Sequence, residues 1–287
     1  ITGHTGLTAL LGSPVAHSIS PLMHNESFRL LGLDYVYLCF DVNEETLPAA
    51  VAGLKTCGIR GFNLTMPNKN KIVELLDELS PEAQLIGAVN TVLNDTGKLI
   101  GYNTDGYGFM QSVRDAGHDI TGKNITVMGV GGASMAICAQ SALDGAASVH
   151  IFARRTSRYW NRTQKFAENL SAKTGCQVCL FDNDDHTALR DSIAQSYLLI
   201  NATSVGMVPD IDDTIIKDTS LFHPELVVAD VVYEPQETRL LREAKAAGCQ
   251  TFNGMYMLLH QGAKAFQIWT GQEMPVSVIK EKYFSVK

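Results

Sequence analysis

A glycine-rich turn between two apolar segments constrains this chain more than any other feature of its sequence. The apolar run Ile125–Met128 leads into the turn GVGGAS at 129–134, a helical stretch follows as far as Gly145, and Val149–Ala153 forms a second apolar run. This order predicts a strand–turn–helix–strand unit. Such a turn lets the backbone approach a pyrophosphate and directs helix amides toward its charge. The residues predicted to contact a dinucleotide are Gly129, Gly131, Gly132, Ala133 and Ser134.

Two other interpretations of this stretch compete with the first. Ser134 stands where G-x-G-x-x-G has its third glycine or alanine, so the motif alone is also typical of an ordinary tight turn. Residues 124–143 carry no charged side chain, as in a membrane span. A parallel strand buried on both faces produces the same apolar run, however. The flanking strands and helix therefore favour a dinucleotide site and no membrane partner.

Size and charge narrow the class of protein. A chain of 287 residues suggests two domains. The net charge of −7, without a lysine- or arginine-rich patch, argues against a nucleic-acid or anionic-membrane partner. No secretion signal is recognisable near Ile1, so we predict a cytoplasmic protein, and the missing initiator methionine leads us to expect a few residues before Ile1.

The cysteines fit the same compartment. Six are scattered, mostly inside apolar runs, and the CxxC spacing of Cys176 and Cys179 has no second pair and no histidine cluster beside it. This pattern favours free buried thiols. We predict no metal site.

Strand and helix patterns alternate along the chain. The first hundred residues include a predicted helix at 67–79 and a hairpin turning at 95–97, and they form a domain of their own. From 158 to 252 the alternation predicts a parallel sheet with helices on both faces. Two further helices are predicted at 255–270 and 276–284.

Polar side chains collect where the predicted strands of the first domain end, which is where open α/β sheets bind ligands. They are Ser18, Ser20, Asn63, Thr65, Lys69, Asn90 and Asp105. One amine, one carboxylate and several hydroxyl or amide groups suit a small polyhydroxylated acid. Simpler structural explanations of these residues remain open. Ser20 before Pro21 predicts the N-cap of one helix, and Asp105 could be the N-cap of the next. Lys69 could be a solvated lysine and Asn90 a turn residue.

Eight motifs resemble the shikimate dehydrogenase family, including its quinate/shikimate branch, over essentially the whole chain. They are HSISP (17–21), NLTMPNK (63–69), GAVNT (87–91), GYNTDG (101–106), GVGGAS (129–134), NATSVGM (201–207), VVYEP (231–235) and GMYMLLHQGA (254–263). MPNK and VVYEP are more similar to the quinate/shikimate branch, whose members accept NAD as well as NADP. Leu64 and Met66 depart from the family's usual valine or isoleucine. The resemblance implies reversible hydride transfer that interconverts shikimate and 3-dehydroshikimate, a step of chorismate and aromatic amino acid biosynthesis.

The resemblance also implies an architecture. We expect an α/β fold with an N-terminal α/β substrate domain, a Rossmann-like dinucleotide-binding domain, and C-terminal helices that pack back on the first domain. The expected boundaries are 1–105 with 256–287 for the substrate domain and 106–255 for the dinucleotide-binding domain. A homodimer is compatible with the resemblance.

The matching motifs imply roles for single residues. Lys69 would be the acid/base at the reacting hydroxyl, with Asp105 beside it as part of one coupled unit. Ser18 and Ser20 would bind the substrate carboxylate. The remaining substrate contacts, to the ring hydroxyls and near the nicotinamide, would be Thr65, Asn90, Gln261 and Tyr233.

The choice of cofactor depends on the end of the second strand. Arg154, Arg155 and Thr156 follow it, without an acidic residue to bind a 2′-hydroxyl. Guanidinium groups suit a 2′-phosphate instead, although Arg155 could equally be solvated or paired with an acid. We therefore expect NADP, with NAD as the second candidate. The resemblance adds Ser204 and Gly254 to the cofactor-binding residues.

Two functional alternatives remain open. Quinate shares the carboxylate and neighbouring hydroxyls of shikimate and could be a second substrate. A non-catalytic dinucleotide-sensing protein could use the same fold. The presence of both Lys69 and Asp105 favours the enzyme.

Overall fold

Apolar strands alternate with helices to build two sheets, each of which belongs to its own compact unit. The computed structural model describes residues 1–284. The first unit comprises Ile1–Gly108 and the segment from Leu259 onward, and the second comprises Phe109–Leu258. The predicted substrate domain extended to 287, and residues 285–287 lie outside the described part of the chain.

The first unit contains a mixed sheet. Its strands are β1 (Gly6–Gly12), β2 (Tyr35–Asp41), β3 (Gly61–Leu64), β4 (Glu78–Leu79), β5 (Thr91–Asp95) and β6 (Lys98–Tyr102), in the order β2-β1-β3-β5-β6-β4. Its helices are α1 (Ser20–Leu30), α2 (Leu47–Thr56) and α3 (Pro81–Ile86), and α4 (Asp105–Asp115) leads into the second unit. Strand β1 is parallel to β2 and β3, whereas β5 is antiparallel to β3 and β6.

Side-chain alternation gives the two faces of this sheet different partners. Phe62 and Leu64 of β3 belong to the same buried cluster as Leu47 and Val51 of α2. Because successive strand residues point to opposite faces, Asn63 lies on the other face. The apolar pattern therefore directs a buried amide away from the core.

The second unit contains a parallel sheet. Its elements are β7 (Asn124–Met128), α5 (Gly132–Leu143), β8 (Ser148–Ala153), α6 (Trp160–Thr174), β9 (Gln177–Asp182), α7 (His186–Gln195), β10 (Leu198–Asn201), β11 (Val227–Asp230), α8 (Arg239–Ala246) and β12 (Gln250–Asn253). The strand order is β12-β11-β10-β7-β8-β9. The chain reverses its direction of winding between β7 and β10, which is where doubly wound sheets bind dinucleotides. The predicted fold class is confirmed.

The C-terminal helices α9 (Met255–Thr270) and α10 (Val276–Tyr283) complete the first unit. The indole of Trp269 on α9 donates a hydrogen bond to the carbonyl of Val92 (2.9 Å), and Arg60 Nε donates to the carbonyl of Trp269 (2.8 Å). Lys282 of α10 forms an ion pair with Glu26 at 2.8 Å. The return of the C-terminal helices to the first unit was predicted correctly.

The predicted helix at 67–79 is wrong. The chain forms a short 3₁₀ helix at Lys71–Leu75 and then becomes extended at Leu76. The amide of Asp77 bonds the carbonyl of Leu99, and β4 joins the sheet beside β6. Edge pairing therefore overrides the helical spacing of the apolar residues, and the following helix α3 was not predicted.

All six cysteines are free: Cys138, Cys176 and Cys249 are buried, Cys39 and Cys179 are half-buried, and Cys57 is exposed. The expectation of mostly buried thiols is therefore too broad. In the described part of the chain, no helix is both long and apolar enough to cross a membrane.

Candidate functional site

Lys69 and Asp105 form an ion pair in the first unit. Lys69 lies in the segment after β3, and Asp105 is the first residue of α4. The Nζ–Oδ2 distance is 2.6 Å, and the other carboxylate oxygen accepts a hydrogen bond of 2.8 Å from Asn90. The Lys69 side chain is 30% exposed and that of Asp105 is 12% exposed, so the amine is reachable from solvent while the carboxylate is largely enclosed.

Asn90 is the centre of a buried hydrogen-bond network around this pair. Its side-chain oxygen accepts hydrogen bonds from the backbone amide of Thr104 (2.8 Å) and from the hydroxyl of Thr91 (3.0 Å). Its amide also donates to Gln261 on α9, at 3.4 Å. Because every group of Asn90 is held, the orientation of the Asp105 carboxylate is fixed by residues from three segments of the chain.

The network continues to Tyr37, on the sheet face that carries Asn63. The hydroxyl of Tyr37 donates to Asn63 (2.9 Å), which donates in turn to the hydroxyl of Thr91 (2.9 Å). Burial raises the pKa of Tyr37 well above its usual value, and a hydrogen bond with Ser20 opposes that rise. The sequence did not predict Tyr37, which shares this face because Thr8 is in register with both Tyr37 and Gly61, two residues before Asn63.

Ser18, Ser20 and Thr65 flank this network. The hydroxyl of Ser18 accepts a hydrogen bond of 3.2 Å from the amide of Ser20. Thr65 is half-buried directly after β3. The predicted N-cap role of Ser20 is wrong, because Ile19 already has helical angles and Ser20 is itself the first residue of α1. The buried Ser20 hydroxyl is therefore not used to cap the helix.

The glycine-rich turn in the second unit is tightly packed at Gly129 and open at Gly131 and Gly132. Gly129 has φ +109°, and a Cβ there would lie 2.7 Å from Thr203 Cγ2. A Cβ on Gly131 or Gly132 would meet nothing within 4 Å. Helix α5 begins at Gly132, and the first amides of an α-helix have no acceptor inside the helix. Gly131 and Gly132 are exposed next to helix amides of the kind that bind phosphate groups.

Three other predicted cofactor residues have different environments. Ala133 lies in the first turn of α5. The buried Ser134 hydroxyl donates to the carbonyl of Gly129 at 2.5 Å, so it is used to hold the turn. Gly254 is packed against the backbone of Val231, since a Cβ at Gly254 would lie 2.3 Å from the Val231 carbonyl oxygen.

The residues after β8 are exposed. Arg154, Arg155 and Thr156 all face solvent directly beyond the end of the strand. The guanidinium of Arg155 lies 4.7 Å from the centre of the Trp160 ring. Arg155 is therefore partly held by a cation–π contact, a possibility the sequence did not suggest.

Ser204 and Tyr233 lie in two loops at the carboxyl edge of the second sheet. Ser204 is exposed in the loop after β10, and Tyr233 is 44% exposed in the loop after β11. Tyr233 was predicted to contact substrate, but it belongs to the second unit and not to the network around Asn90.

Comparisons with known proteins agree along the whole chain. Sequence models described as "Shikimate dehydrogenase substrate binding domain" and "Shikimate 5'-dehydrogenase C-terminal domain" match residues 10–92 and 254–282. A protein of Listeria innocua named "Shikimate dehydrogenase (NADP(+))" is 52% identical over 99% of this chain and 97% of its own length. A Streptococcus pyogenes protein of the same name is 49% identical over 98% of this chain and 97% of its own length. The chain belongs to the shikimate dehydrogenase family.

Solved structures of the shikimate dehydrogenase family are also similar. The enzyme from Listeria monocytogenes, in complex with shikimate and NAD, matches with a TM-score of 0.95 and 52% identity over 98% of this chain and 97% of its own. The Thermus thermophilus enzyme, with NADP(H) and shikimate, has a TM-score of 0.80 and 36% identity over 96% and 97%. Quinate dehydrogenase from Corynebacterium glutamicum, with NAD, has a TM-score of 0.86 and 31% identity over 98% and 99%.

The predicted site residues form two groups, and each unit contains one of them. Lys69, Asp105, Asn90 and Gln261 are linked by hydrogen bonds in the first unit. The glycine-rich turn and the exposed arginines lie in the second. Between residues 1 and 284, no group of three His, Cys, Asp or Glu side chains is arranged to hold a metal ion.

Proposed function

We propose that this chain catalyses the reversible, NADP-dependent reduction of 3-dehydroshikimate to shikimate. The observation that carries the proposal is the Lys69–Asp105 pair, held by the Asn90 network in a chain 52% identical to a protein named for this activity with NADP(+). The alcohol oxidation requires one group that takes a proton as hydride leaves, and the pair supplies such a group.

Substrate binding is assigned to the first unit. Residues 10–92 match a domain described as substrate binding, and we extend that role to 1–105 and 256–287. The hydroxyls of Ser18 and Ser20 are proposed to donate to the substrate carboxylate. Thr65, Asn90 and Gln261 are proposed to bind ring hydroxyls, for which the direct contact between Asn90 and Gln261 gives support. Tyr233 is proposed to approach the substrate from its exposed loop.

Lys69 is proposed as the acid and base at the reacting oxygen. During reduction its ammonium donates a proton to the oxygen that becomes the C3 hydroxyl, and during oxidation its amine accepts that proton. Asp105 holds Nζ at 2.6 Å and so directs the remaining N–H groups toward one place. The bound nicotinamide supplies the hydride chemistry.

Cofactor binding is assigned to residues 106–255. The open approach to Gly131 and Gly132 and the α5 amides fit a pyrophosphate. Arg154, Arg155 and Thr156 are exposed where a 2′-phosphate would be bound, which favours NADP over NAD. Ser204 and Gly254 are proposed to contact the cofactor from the loops at the same edge of the sheet.

Turnover in four mixtures tests the proposal. Absorbance of the reduced nicotinamide is followed with shikimate or quinate, each with NADP or NAD. Shikimate with NADP should give the highest kcat/KM. A chain that binds NADP but turns over neither substrate with either cofactor would instead be a dinucleotide sensor.

Quinate is a second candidate substrate. Its support is the similarity to the Corynebacterium glutamicum quinate dehydrogenase over 98% of this chain. The same four mixtures decide it, since quinate turnover would appear in two of them. The family resemblance also allows a homodimer, which sedimentation equilibrium of the wild-type chain would reveal.

A further inference from the structure

Asp230 is a buried carboxylate at the carboxyl edge of the second sheet. It is the last residue of β11 and is 0% exposed. In the sheet register it stands between Asn201 of β10 and Asn253 of β12, and Asn201 in turn pairs with Met128 at the end of β7. Asp230 therefore lies in the row of residues from which the ligand-facing loops of this sheet begin.

Two oxygens of Asp230 accept hydrogen bonds from three segments. Oδ1 accepts from the side-chain amide of Asn201 (3.0 Å) and from the backbone amide of Val232 (2.9 Å). Oδ2 accepts from the hydroxyl of Thr238 (2.7 Å), the residue that caps α8. These donors come from the end of β10, the loop after β11 and the N-cap of the next helix.

The Asn201 side of this arrangement reaches the glycine-rich turn. The side-chain oxygen of Asn201 accepts hydrogen bonds from the backbone amide (3.1 Å) and the hydroxyl (2.6 Å) of Thr203. Thr203 Cγ2 occupies the space beside Gly129. Ser204 follows directly, so its position is set by the hydrogen bonds of its neighbour.

The Val232 side reaches Tyr233. The amide of Val232 is held by Asp230, and the far end of the same loop is held by Asn253, which donates to the carbonyl of Gln236 at 2.8 Å. Tyr233 thus projects from a short loop tied down at both ends. The backbone of Val231 also packs against Gly254.

A carboxylate is an unfavourable choice for this place on stability alone. Its donors are two neutral side chains and a backbone amide, and burial raises the pKa of Asp230 while those hydrogen bonds lower it. An asparagine would be cheaper to bury, but it offers one acceptor oxygen where the aspartate offers two. The carboxylate is the group that can accept from all three segments at once.

We propose that Asp230 is a positioning residue for hydride transfer, which fixes the loop of Ser204 and the loop of Tyr233 relative to each other. The inference rests on the proposed function. Neither loop is held by Asp230 alone, so its loss should misplace the loops without unfolding the sheet.

Asp230→Asn, which keeps the shape and removes one acceptor, is the central test. It should lower kcat with shikimate and NADP by about 10- to 100-fold, since misplacement of a reacting group by about 1 Å can cost as much. The Kd of NADP, measured by titration calorimetry without turnover, should rise by a smaller factor than that by which kcat falls, because the glycine-rich turn and the arginines remain and only the proposed Ser204 contact is displaced. A matched control is Asp185→Ala, which removes an N-cap aspartate from α7 in the same unit and should change the Tm but not kcat.

A double-mutant cycle keeps the test decisive if Asp230→Asn does not fold. Thr238→Val and Asn201→Ala remove donors on opposite sides of Asp230, and Thr238→Ser keeps its donor and should restore wild-type kcat. If both donors act through Asp230, their effects on kcat should be non-additive by at least about threefold. Additive effects, or a lowered Tm with unchanged kcat in Asp230→Asn, would overturn the positioning role. Wild-type turnover is measured alongside. Its absence would contradict the proposed function itself. Normal wild-type turnover together with an equally active Asp230→Asn variant would contradict only the positioning role of Asp230.

Discussion

Lys69 should be needed for proton transfer and not for cofactor binding. Lys69→Ala should lower kcat about 10²- to 10⁴-fold while the Kd of NADP stays nearly unchanged, because a positioned acid/base is lost and the cofactor residues are not. Steady-state kinetics and calorimetry measure the two quantities. Lys71→Ala is the matched control, since its amine pairs with the exposed Glu74 at 2.7 Å. A Lys69→Ala enzyme with more than half of the wild-type kcat would exclude Lys69 from the mechanism.

Ser18 and Ser20 should affect the affinity for the substrate more than the stability of the fold. Ser18→Ala and Ser20→Ala should each raise the KM of shikimate about tenfold or more, since a hydrogen bond to a charged carboxylate is lost. Their Tm should fall only modestly, because neither hydroxyl caps α1 by a side-chain hydrogen bond and each variant loses one internal hydrogen bond, that of Ser20 with Tyr37 or that of Ser18 from the Ser20 amide. Ser80→Ala is the contrasting control: Ser80 caps α3, so this change should lower stability by about 1 kcal/mol at unchanged KM. Unchanged KM in both site variants would refute carboxylate binding.

Arg154 should distinguish the two cofactors. Arg154→Ala should weaken NADP by at least about tenfold and NAD by less than about threefold, because a guanidinium gains much more from a 2′-phosphate than from a hydroxyl. Calorimetric titration with each cofactor measures the effect, and Arg190→Ala, whose guanidinium pairs with Asp191, serves as the control. Equal weakening of both cofactors would contradict a phosphate contact.

At this scale the sequence predicted some contacts and missed others. Lys69 and Asp105 could be paired in advance because the family motifs contain both residues. The cation–π contact of Arg155 and the place of Tyr37 in the Asn90 network could not be, since each depends on a side-chain orientation set by distant packing. Ser20 shows the opposite error: a serine before proline predicts a cap, yet the helix starts one residue earlier than that rule requires.

Among the elements, α9 docks on a strand that has no room for a side chain. A Cβ at Gly61 would lie 2.2 Å from the Trp269 indole nitrogen and 2.5 Å from the carbonyl oxygen of Val92. Gly61→Ala should therefore lower the free energy of unfolding by about 1–3 kcal/mol or more, since the backbone cannot move aside as a flexible side chain would. Urea unfolding measures the change.

Gly53 offers the matched control for that experiment. It lies inside α2, and a Cβ there would meet nothing within 4 Å. Gly53→Ala should raise the free energy of unfolding by about 0.5–1 kcal/mol, because alanine loses less backbone entropy in a helix. Equal responses of the two glycine variants would show that the close contact at Gly61 is relieved at no cost.

Element order was predictable where local pattern and tertiary packing agree. The parallel strands of the second unit have continuous apolar runs, and these were recognised within a few residues of their ends. The segment after Pro67 was not, because its apolar spacing fits a helix while its hydrogen bonds are made with β6. Edge pairing of a two-residue strand leaves no periodic signal in the sequence.

The stability of the molecule in acid should depend on His24. This residue is fully buried, its ring stacks on Tyr37 at 4.4 Å, and burial lowers its pKa from 6.5 to about 3. Between those two values the unfolded chain binds a proton that the folded chain does not, so the free energy of unfolding falls as the pH falls below 6.5. The slope approaches about 1.4 kcal/mol per pH unit, or about 2 kcal/mol lost by pH 5.

His24→Phe should flatten that slope, because the phenyl ring keeps the stack and does not titrate. Urea unfolding is followed at a series of pH values by Trp269 fluorescence, in a Trp160→Phe background so that the signal comes from the first unit alone. Acid curves that coincide with and without His24 would show that another group controls the loss of stability.

The first unit is assembled from two separate parts of the chain, and this sets an order of events during synthesis. Arg60 meets its partner Trp269 only after 209 further residues have been added. The contiguous second unit is therefore synthesised completely before the first. The surface around Gly61 stays exposed to water until α9 has been made and covers it. A chain truncated before Leu259 would contain all of the second unit, while the first unit would lack Gln261 and Trp269.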